Sequence, residues 1–415
     1  MNGINSGDIA WMLTSSALVL IMTPGLAFFY GGMVKKKNTV NTMMSSVFVM
    51  GLASLLWVLI GFSLAFSGGK DGLIGNLNWF CLNHTEETAD SAYPPTILCF
   101  AIFQMMFAII TPALVTGAIV ERMRFSALFI FIAVWSIIVY YPMAHMVWGG
   151  GLLQQLGAID FAGGDVVHIS SGVSALVAAL VIGKRKSYGK GSCQPHNVPF
   201  VLLGASLLWF GWFGFNAGSA GAANALAIHA FMTTNTAAAA AMLSWMLIEK
   251  IRSGKPTLVG ASTGLVLGLV SITPGAGYVP IWSSIIIGAL VSPICYFFIT
   301  VVKPKFGYDD SLDAFGCHGI GGIWGGIATG IFATRGVTDL VGNYDGLIYG
   351  QWQLFVRQLI AVGVTVAVAV VGTLIALGVA KLCVRNLRVS DEDEAIGLDM
   401  SEHGESAYSL LDDKD

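Results

Sequence analysis

Charge is what this chain lacks most. Asp, Glu, Lys and Arg together make up 11% of its 415 residues, less than half the share of an ordinary soluble domain. That excludes a water-soluble globule. The six cysteines form no CxxC pair and show no metal-ligand spacing, so neither a zinc site nor a disulfide framework is expected. A Cys81–Cys99 bridge is one option, but unpaired small apolar residues are the preferred reading. The chain also lacks a Walker A run, a Rossmann glycine pattern and a nucleophile elbow. No enzyme and no cofactor is therefore indicated. A net charge of −3, with the basic residues scattered in short clusters, argues against nucleic-acid binding. The opening MNGINSGDIA has no basic n-region, so no cleaved signal peptide is expected.

Hydrophobic residues fill the space that charge leaves. They make up 55% of the chain, with a mean hydropathy of +0.74. Apolar runs long enough to cross a bilayer of about 30 Å recur throughout. Their length and continuity point to helices rather than the short alternating strands of a β-barrel. Eleven spans are predicted, near 8–33, 41–67, 94–120, 125–147, 165–184, 198–220, 225–249, 257–273, 280–302, 311–333 and 350–384. The 51 glycines suit close helix approach in a tight bundle. The fold class expected is an all-α polytopic membrane protein.

The loops fix an orientation. Seventeen of the 21 basic residues fall in alternate connections, at Lys35–Lys37, Arg122 and Arg124, Lys184–Lys190, Lys250–Lys255, Lys303 and Lys305, and after the last span. The opposite loops hold only Lys70 and Arg335. The positive-inside rule puts the basic loops in the cytoplasm, the amino terminus outside and the carboxyl terminus inside. An odd number of spans requires that arrangement too. The transmembrane domain is taken as 1–390 and the cytoplasmic tail as 391–415. The tail's acidic composition is that of a disordered segment, although its interspersed apolar residues are compatible with docking on the cytoplasmic loops.

Two histidines interrupt these spans: His168 in GGDVVHISSGVSALVAALVIG and His318 in SLDAFGCHGIGGIWGGIATGIF. An ionisable residue inside the bilayer is costly and marks a substrate or proton path. Asp160 and Asp310 precede the two histidines by the same offset, and Gly172 and Gly322 follow them by the same offset. Five spans in each half would run in opposite directions, so the echo fits an inverted repeat. Its halves are about 1–190 and 191–335, and the eleventh helix lies outside. Two histidines alone make a weak metal shell with no carboxylate or cysteine at ligand spacing, and no metal is expected. Structural hydrogen bonding across a helix interface and a proton relay or pore lining are the other readings, and the repeat favours the last. Aromatic segments beside Gly and Ser, such as AHMVWGGG and LLWFGWFGFNAGS, read mostly as core packing or interfacial belts. Aromatic faces can also hold a small cation, with Ser219 as a hydrogen-bond acceptor.

The segments DFAGGDVVHISSGVSALVAALVIGKR and DDSLDAFGCHGIGGIWGGIATGIF resemble the paired signatures of the ammonium transporter family (Amt/Mep/Rh), and in particular its Amt branch. PGLAFFYGGMV, GFNAGS and DEDEAIGLDMSEHGESAY are similar to family segments as well. The resemblance implies eleven spans, a cell-membrane location and a homotrimer with one pore per subunit. It implies an external ammonium vestibule of Phe107, Trp148 and Ser219, a gate of Phe107 and Phe215, and a twin-histidine pore of His168 and His318. Asp160 is then a support for the vestibule loops, with Asp310 as its counterpart, and Trp212 is a weaker lining candidate. The implied function is recruitment of NH4+, its deprotonation and passage of NH3, with or without the proton, through an apolar pore. An ammonium sensor and a neutral NH3 or CO2 channel are the alternatives. A PII signal protein on the cytoplasmic face is an implied partner.

Overall fold

The computed structural model describes residues 4–69, 71–85, 93–190 and 194–408. Lys70, the expected repeat boundary at 191 and the tail beyond 408 lie outside the described residues. Each expected span coincides with a helical segment. In chain order these are α1 (Ser6–Met33), α2 (Lys36–Phe66), α3 (Ile97–Thr116), α4 (Phe125–Leu156), α5 (Gly164–Ile182), α6 (Val198–Ala217) and α7 (Ala225–Ser253). There follow α8 (Leu258–Ile272), α9 (Ile281–Phe306), α10, and α11 (Gln353–Val384). α10 is a π-helical turn, Phe315–Gly319, running into Ile320–Phe332. Nine of the described segments are long and apolar enough to cross a membrane. The exceptions are the two shorter ones, α8 with 15 residues and α10 with 13 behind its π turn.

The helix starts follow from side chains that can accept from free backbone N–H groups. Asn5, Thr96, Asn197, Asn224 and Thr257 do this for α1, α3, α6, α7 and α8. α11 spans 32 residues, or about 48 Å at 1.5 Å per residue, well over a bilayer core. It packs along α4, α5 and α10 on the outside of the bundle.

The two halves meet where α5 crosses α10. A methyl group on Gly172 would lie 2.1 Å from the Gly319 nitrogen, and one on Gly322 would lie 3.0 Å from the His168 Cβ. Each helix therefore lays a glycine against the other's histidine turn. Close approach at this crossing requires the absence of a side chain on both sides.

The basic face is tied together by buried charge. Arg185 bonds Asp309 at 2.8 Å and Glu121 at 2.7 Å. Arg122, fully buried, donates to the carbonyls of Asp309 at 2.6 Å, Gly183 at 2.7 Å and Ala118 at 3.0 Å. Burial acts to raise the Glu121 carboxyl, but the Arg185 charge and donors from Asn38, Lys35 and Arg185 hold it below the usual range. Burial opposes the same outcome at Asp309, where Arg185 and Arg122 prevail.

The tail folds over this face through residue 408. It contributes α12 (Asp391–Ile396) and α13 (Leu398–His403). Ser390 and Asp393 cap α12 reciprocally. The Asn41 N–H donates to Asp399 at 2.8 Å, the Phe125 N–H to Glu402 at 2.8 Å, and the Leu398 N–H to Asn38 Oδ1 at 2.9 Å. Of the two readings of the tail's composition, docking is the one the fold adopts over these residues. Cys81 and Cys99 are both free thiols.

Both depressed carboxyls stabilise the fold above their unfolded pKa of about 4, and that contribution is lost as pH falls through the lower folded values. The apparent unfolding temperature in detergent is expected to hold between pH 7 and 5 and to fall below about pH 4. Arg185→Gln strands two buried carboxylates, at a cost of about 3–5 kcal/mol. Equal thermal stability of R185Q and parent at pH 7 would show that the cluster contributes nothing.

Candidate functional site

An apolar column runs through the bundle. At one end of it is a cavity of about 310 Å³ whose lining includes Phe103, Gln104, Trp148, Asp160, Phe161, Ser219 and Tyr278. Of the sequence-derived vestibule residues, Trp148 and Ser219 line this cavity, and Phe107 lies fully buried beneath it. The Phe107 ring meets Trp148 edge-on at 6.0 Å between centroids. Ser219 donates its hydroxyl proton to the Phe215 carbonyl at 2.8 Å, which leaves its lone pairs free to accept.

Below the cavity, Phe107 and Phe215 lie with centroids 4.2 Å apart and planes inclined at 33°. Both are fully buried. The rings close the column between the cavity and the histidines. Phe215 is set by a π-helical turn, Phe213–Ala217, at the end of α6. Asn216 anchors that turn, donating to Thr234 Oγ1 on α7 at 2.9 Å.

The histidines follow. His168 stacks below Phe215 at 6.0 Å and beside Trp212 at 5.4 Å, with planes within 22° and 20°. His318 Nδ1 lies 3.2 Å from His168 Nδ1. Two nitrogens can share a hydrogen bond only if one carries the proton and the other offers a lone pair. In a neutral pair the rings are therefore opposite tautomers: one presents a bare Nε2 and the other an Nε2–H. The His168 Nε2 is buried with no hydrogen-bond partner. The lumen beside the pair is narrow, lined by Leu26, Ile110, Leu114, Leu208, Trp212 and Val266 among others. Its volume is about 10 Å³, close to the least that holds one water-sized molecule.

Both histidines sit on π-helical turns, Gly164–Ile169 and Phe315–Gly319. A carboxylate caps each turn. Asp160 accepts from the N–H groups of Gly163 and Gly164 at 2.7 Å, Asp165 at 2.8 Å and Val166 at 3.4 Å. Asp310 accepts from Ala314 at 3.0 Å and Phe315 at 2.8 Å. The Asp160 carbonyl also accepts from Trp148 Nε1 at 2.8 Å, so the same residue positions the Trp148 ring at the cavity. With its oxygens engaged by backbone donors, Asp160 has the geometry of a support rather than of a ligand. Thus seven of the eight sequence-derived residues belong to one column, and Asp310 stands behind it at the foot of the His318 turn.

The sequence reading missed Phe103, Gln104, Phe161 and Tyr278, and ranked Trp212 low. Trp212 is fixed against His168 by its Nε1–H bond to Thr273 Oγ1 at 2.9 Å. Gln104, one turn before Phe107, has a buried carbonyl oxygen with no partner. A lone glutamine inside FQMMFAIITPA was the available signal.

The Ammonium Transporter Family model matches residues 10–408 of the chain. The chain belongs to the ammonium transporter family. An ammonium transporter of Bacillus subtilis is 49% identical over 404 residues, covering 97% of this chain and 98% of that one. The crystal structure of Saccharomyces cerevisiae Mep2 superposes with a TM-score of 0.88 at 37% identity, covering 94% of this chain and 89% of that one. A structure titled Sensor Amt Protein superposes with a TM-score of 0.86 at 29% identity, covering 96% and 98%. The family is one of membrane transporters, not of enzymes, and this chain is a multi-pass membrane protein.

If Asp160 is a support, Asp160→Ala strands buried N–H donors at about 1–3 kcal/mol each, whereas Asp160→Asn keeps one oxygen acceptor. Thermal unfolding in detergent should rank parent above D160N above D160A. An unchanged D160A would remove the supporting role.

Proposed function

We propose that the protein moves ammonium across the cell membrane by binding NH4+ at the outer cavity, stripping its proton and passing NH3 through the column. The observation that carries this reading is the order of groups along one axis: aromatic faces with a hydroxyl and an amide oxygen, then two phenyl rings in contact, then a hydrogen-bonded imidazole pair. Phe107 and Trp148 offer ring faces to a cation, each worth about 0.5–2 kcal/mol. Ser219 and Gln104 offer acceptors for its N–H groups.

A bare cation entering the apolar column would lose its hydration without replacement, which is prohibitive. Ammonium has an escape that potassium lacks. Its pKa is somewhat below that of a lysine side chain, so releasing a proton near pH 7 costs only about 3–4 kcal/mol. Neutral NH3 then passes Phe107 and Phe215. At the histidines it meets one nitrogen lone pair and one N–H, which match its own donors and acceptor. Selectivity over potassium comes from acid–base chemistry rather than size. The imidazole pair also offers the released proton a route.

Eleven crossings, an outside amino terminus and a cytoplasmic basic face are part of this proposal, supported by the distribution of lysine and arginine. So is a homotrimer with a pore in each subunit. An apolar groove of Trp11, Ala227, Ile228, Phe231 and Met232 at the outer end of α1 and α7 is suited to a neighbouring subunit. The tail from 391 is proposed as regulatory, and a PII signal protein as its cytoplasmic partner. A sensor is the second reading, favoured by the fold shared with the Sensor Amt Protein.

The test is a rapid ammonium jump on proteoliposomes with potassium as control. Charge movement is expected with ammonium and not with potassium, and replacement of either His168 or His318 by Leu should abolish it. Ammonium binding without charge movement or a lumenal pH change would replace the transporter with the sensor. Ser219→Ala should raise the half-saturating ammonium concentration roughly tenfold or more, the loss of a hydrogen bond to a charged group. Labelling a variant that keeps Cys383 alone with an impermeant maleimide tests orientation, since Cys383 is exposed at the basic end of α11. Reaction from outside the cell would invert the topology.

A further inference from the structure

Some cations on the basic face are ion-paired. Arg185 and Arg122 are held in the buried cluster, Lys186 pairs with Asp391, and Arg388 pairs with Glu394 at 2.5 Å. Three others are not. Arg124, Lys381 and Arg385 have no side-chain hydrogen bond or ion pair among the described residues, yet they line the same cleft. It has a volume of about 420 Å³ and lies where the start of α4 and the ends of α5 and α11 converge. Among the described residues no acidic side chain lines it. Like charges gathered without a counter-ion repel one another, and the fold retains them against that cost.

The backbone here is also constrained. Arg385 ends α11 with φ +63°, a conformation that costs a non-glycine residue energy. The chain then turns back so that Leu387 accepts from the Arg124 N–H at 2.9 Å and the Val389 N–H donates to the Arg122 carbonyl at 3.1 Å. These bonds fix the two ends that carry the free cations. Val181, Ile182, Leu387 and Val389 give the cleft an apolar side, beside Asn386, Arg388 and Ser390. Val181 is 47% exposed, and its neighbours Leu180 and Leu382 are 60% and 85% exposed. Such side chains at helix ends face hydrocarbon in a membrane protein. The cleft therefore has a cationic mouth and an apolar wall that continues toward the bilayer.

We propose that this cleft binds the phosphate headgroup of an anionic phospholipid, with Arg124, Lys381 and Arg385 around the phosphodiester and an acyl chain along the exposed ends of α5 and α11. Basic pockets between membrane helices recognise such headgroups by charge. A soluble phosphate has the same charge but makes no use of the apolar wall. The bound lipid holds the turn that joins α11 to the docked tail.

The inference rests on the membrane reading but not on transport or on the direction of crossing, because its test is done in detergent. The purified full chain is titrated with phosphatidylglycerol, phosphatidylcholine or inorganic phosphate, and bound molecules are counted by native mass spectrometry. Saturable first-step binding of phosphatidylglycerol is expected, and neither phosphatidylcholine nor millimolar phosphate should substitute. Each cation near a phosphate is worth about fivefold in affinity, so Arg124→Gln, Lys381→Gln and Arg385→Gly together should weaken binding roughly a hundredfold. Arg385→Gly also relieves the strained φ, so its single variant should bind about fivefold more weakly without losing thermal stability. Lys381→Gln, at an exposed position, provides the same reading should the triple variant fail to fold. Parent-like affinity in these variants, or equal affinity for phosphatidylcholine, would overturn the site. Effective competition by inorganic phosphate would make it a soluble-anion site instead and overturn the lipid assignment.

Discussion

The bond between His168 Nδ1 and His318 Nδ1 is the contact on which the rest of the structure converges. Two polar rings sit where water can barely enter, and each satisfies the other's Nδ1, while the His168 Nε2 has no partner among the described residues. Their 3.2 Å separation demands that α5 and α10 approach to backbone contact, which Gly172 and Gly322 allow. It also demands that both rings point inward from tightly fixed turns. Asp160 and Asp310 supply that fixity by accepting from the free N–H groups of those turns, so that each half of the chain delivers its histidine with the same device. The stacking of Trp212 and Phe215 then leaves His168 little rotational freedom. An unpaired polar group at such depth costs several kcal/mol, and the pairing accounts for the tolerance of two titratable rings in an apolar core.

A second set of constraints operates at the basic end. Glu121, Arg122, Arg185 and Asp309 come from three separate connections and lock the helix ends against one another. The docked tail covers that cluster, with Glu394 reaching the Lys186 backbone at 2.6 Å and Arg388 at 2.5 Å. A change in the tail therefore acts on the same connections that anchor α5 and α10, the helices that carry the histidines. Among the described residues the charges of that buried cluster are paired, whereas Arg124, Lys381 and Arg385 beside the end of α11 are not.

The sequence disclosed the spans because the bilayer requires long apolar runs, and it disclosed the histidines because they break those runs. The identical offsets to Asp160 and Asp310 anticipated that the two turns are built alike. Other features were hidden for physical reasons. The π-helical turns at His168, Phe215 and His318 arise from packing between helices, and no local residue pattern announces them. Phe103 and Phe161 are two phenylalanines among 24, and composition does not distinguish a vestibule wall from core. The partners of the Glu121–Arg185–Asp309 cluster are 64 and 124 residues apart, beyond any periodicity. The acidic tail has the composition of a disordered chain, and its docking depends on acceptors offered by Asn38 and on the Asn41 and Phe125 N–H groups of distant helices.

The opposite tautomers of the histidine pair have a consequence for timing. In the proposed relay, a proton taken at one ring's bare Nε2 and released from the other ring's Nε2–H would shift the shared proton across the Nδ1–Nδ1 bond. The pair is then its own mirror image: the ring that accepted now carries a proton on Nε2, and the ring that released is bare. It is ready to run backward and blocked from running forward. Such a relay works as a ratchet with a single tooth, which must be reset before it can advance again. Under the proposed transport, the interval between successive forward protons would be bounded by the reset rather than by passage of the neutral molecule.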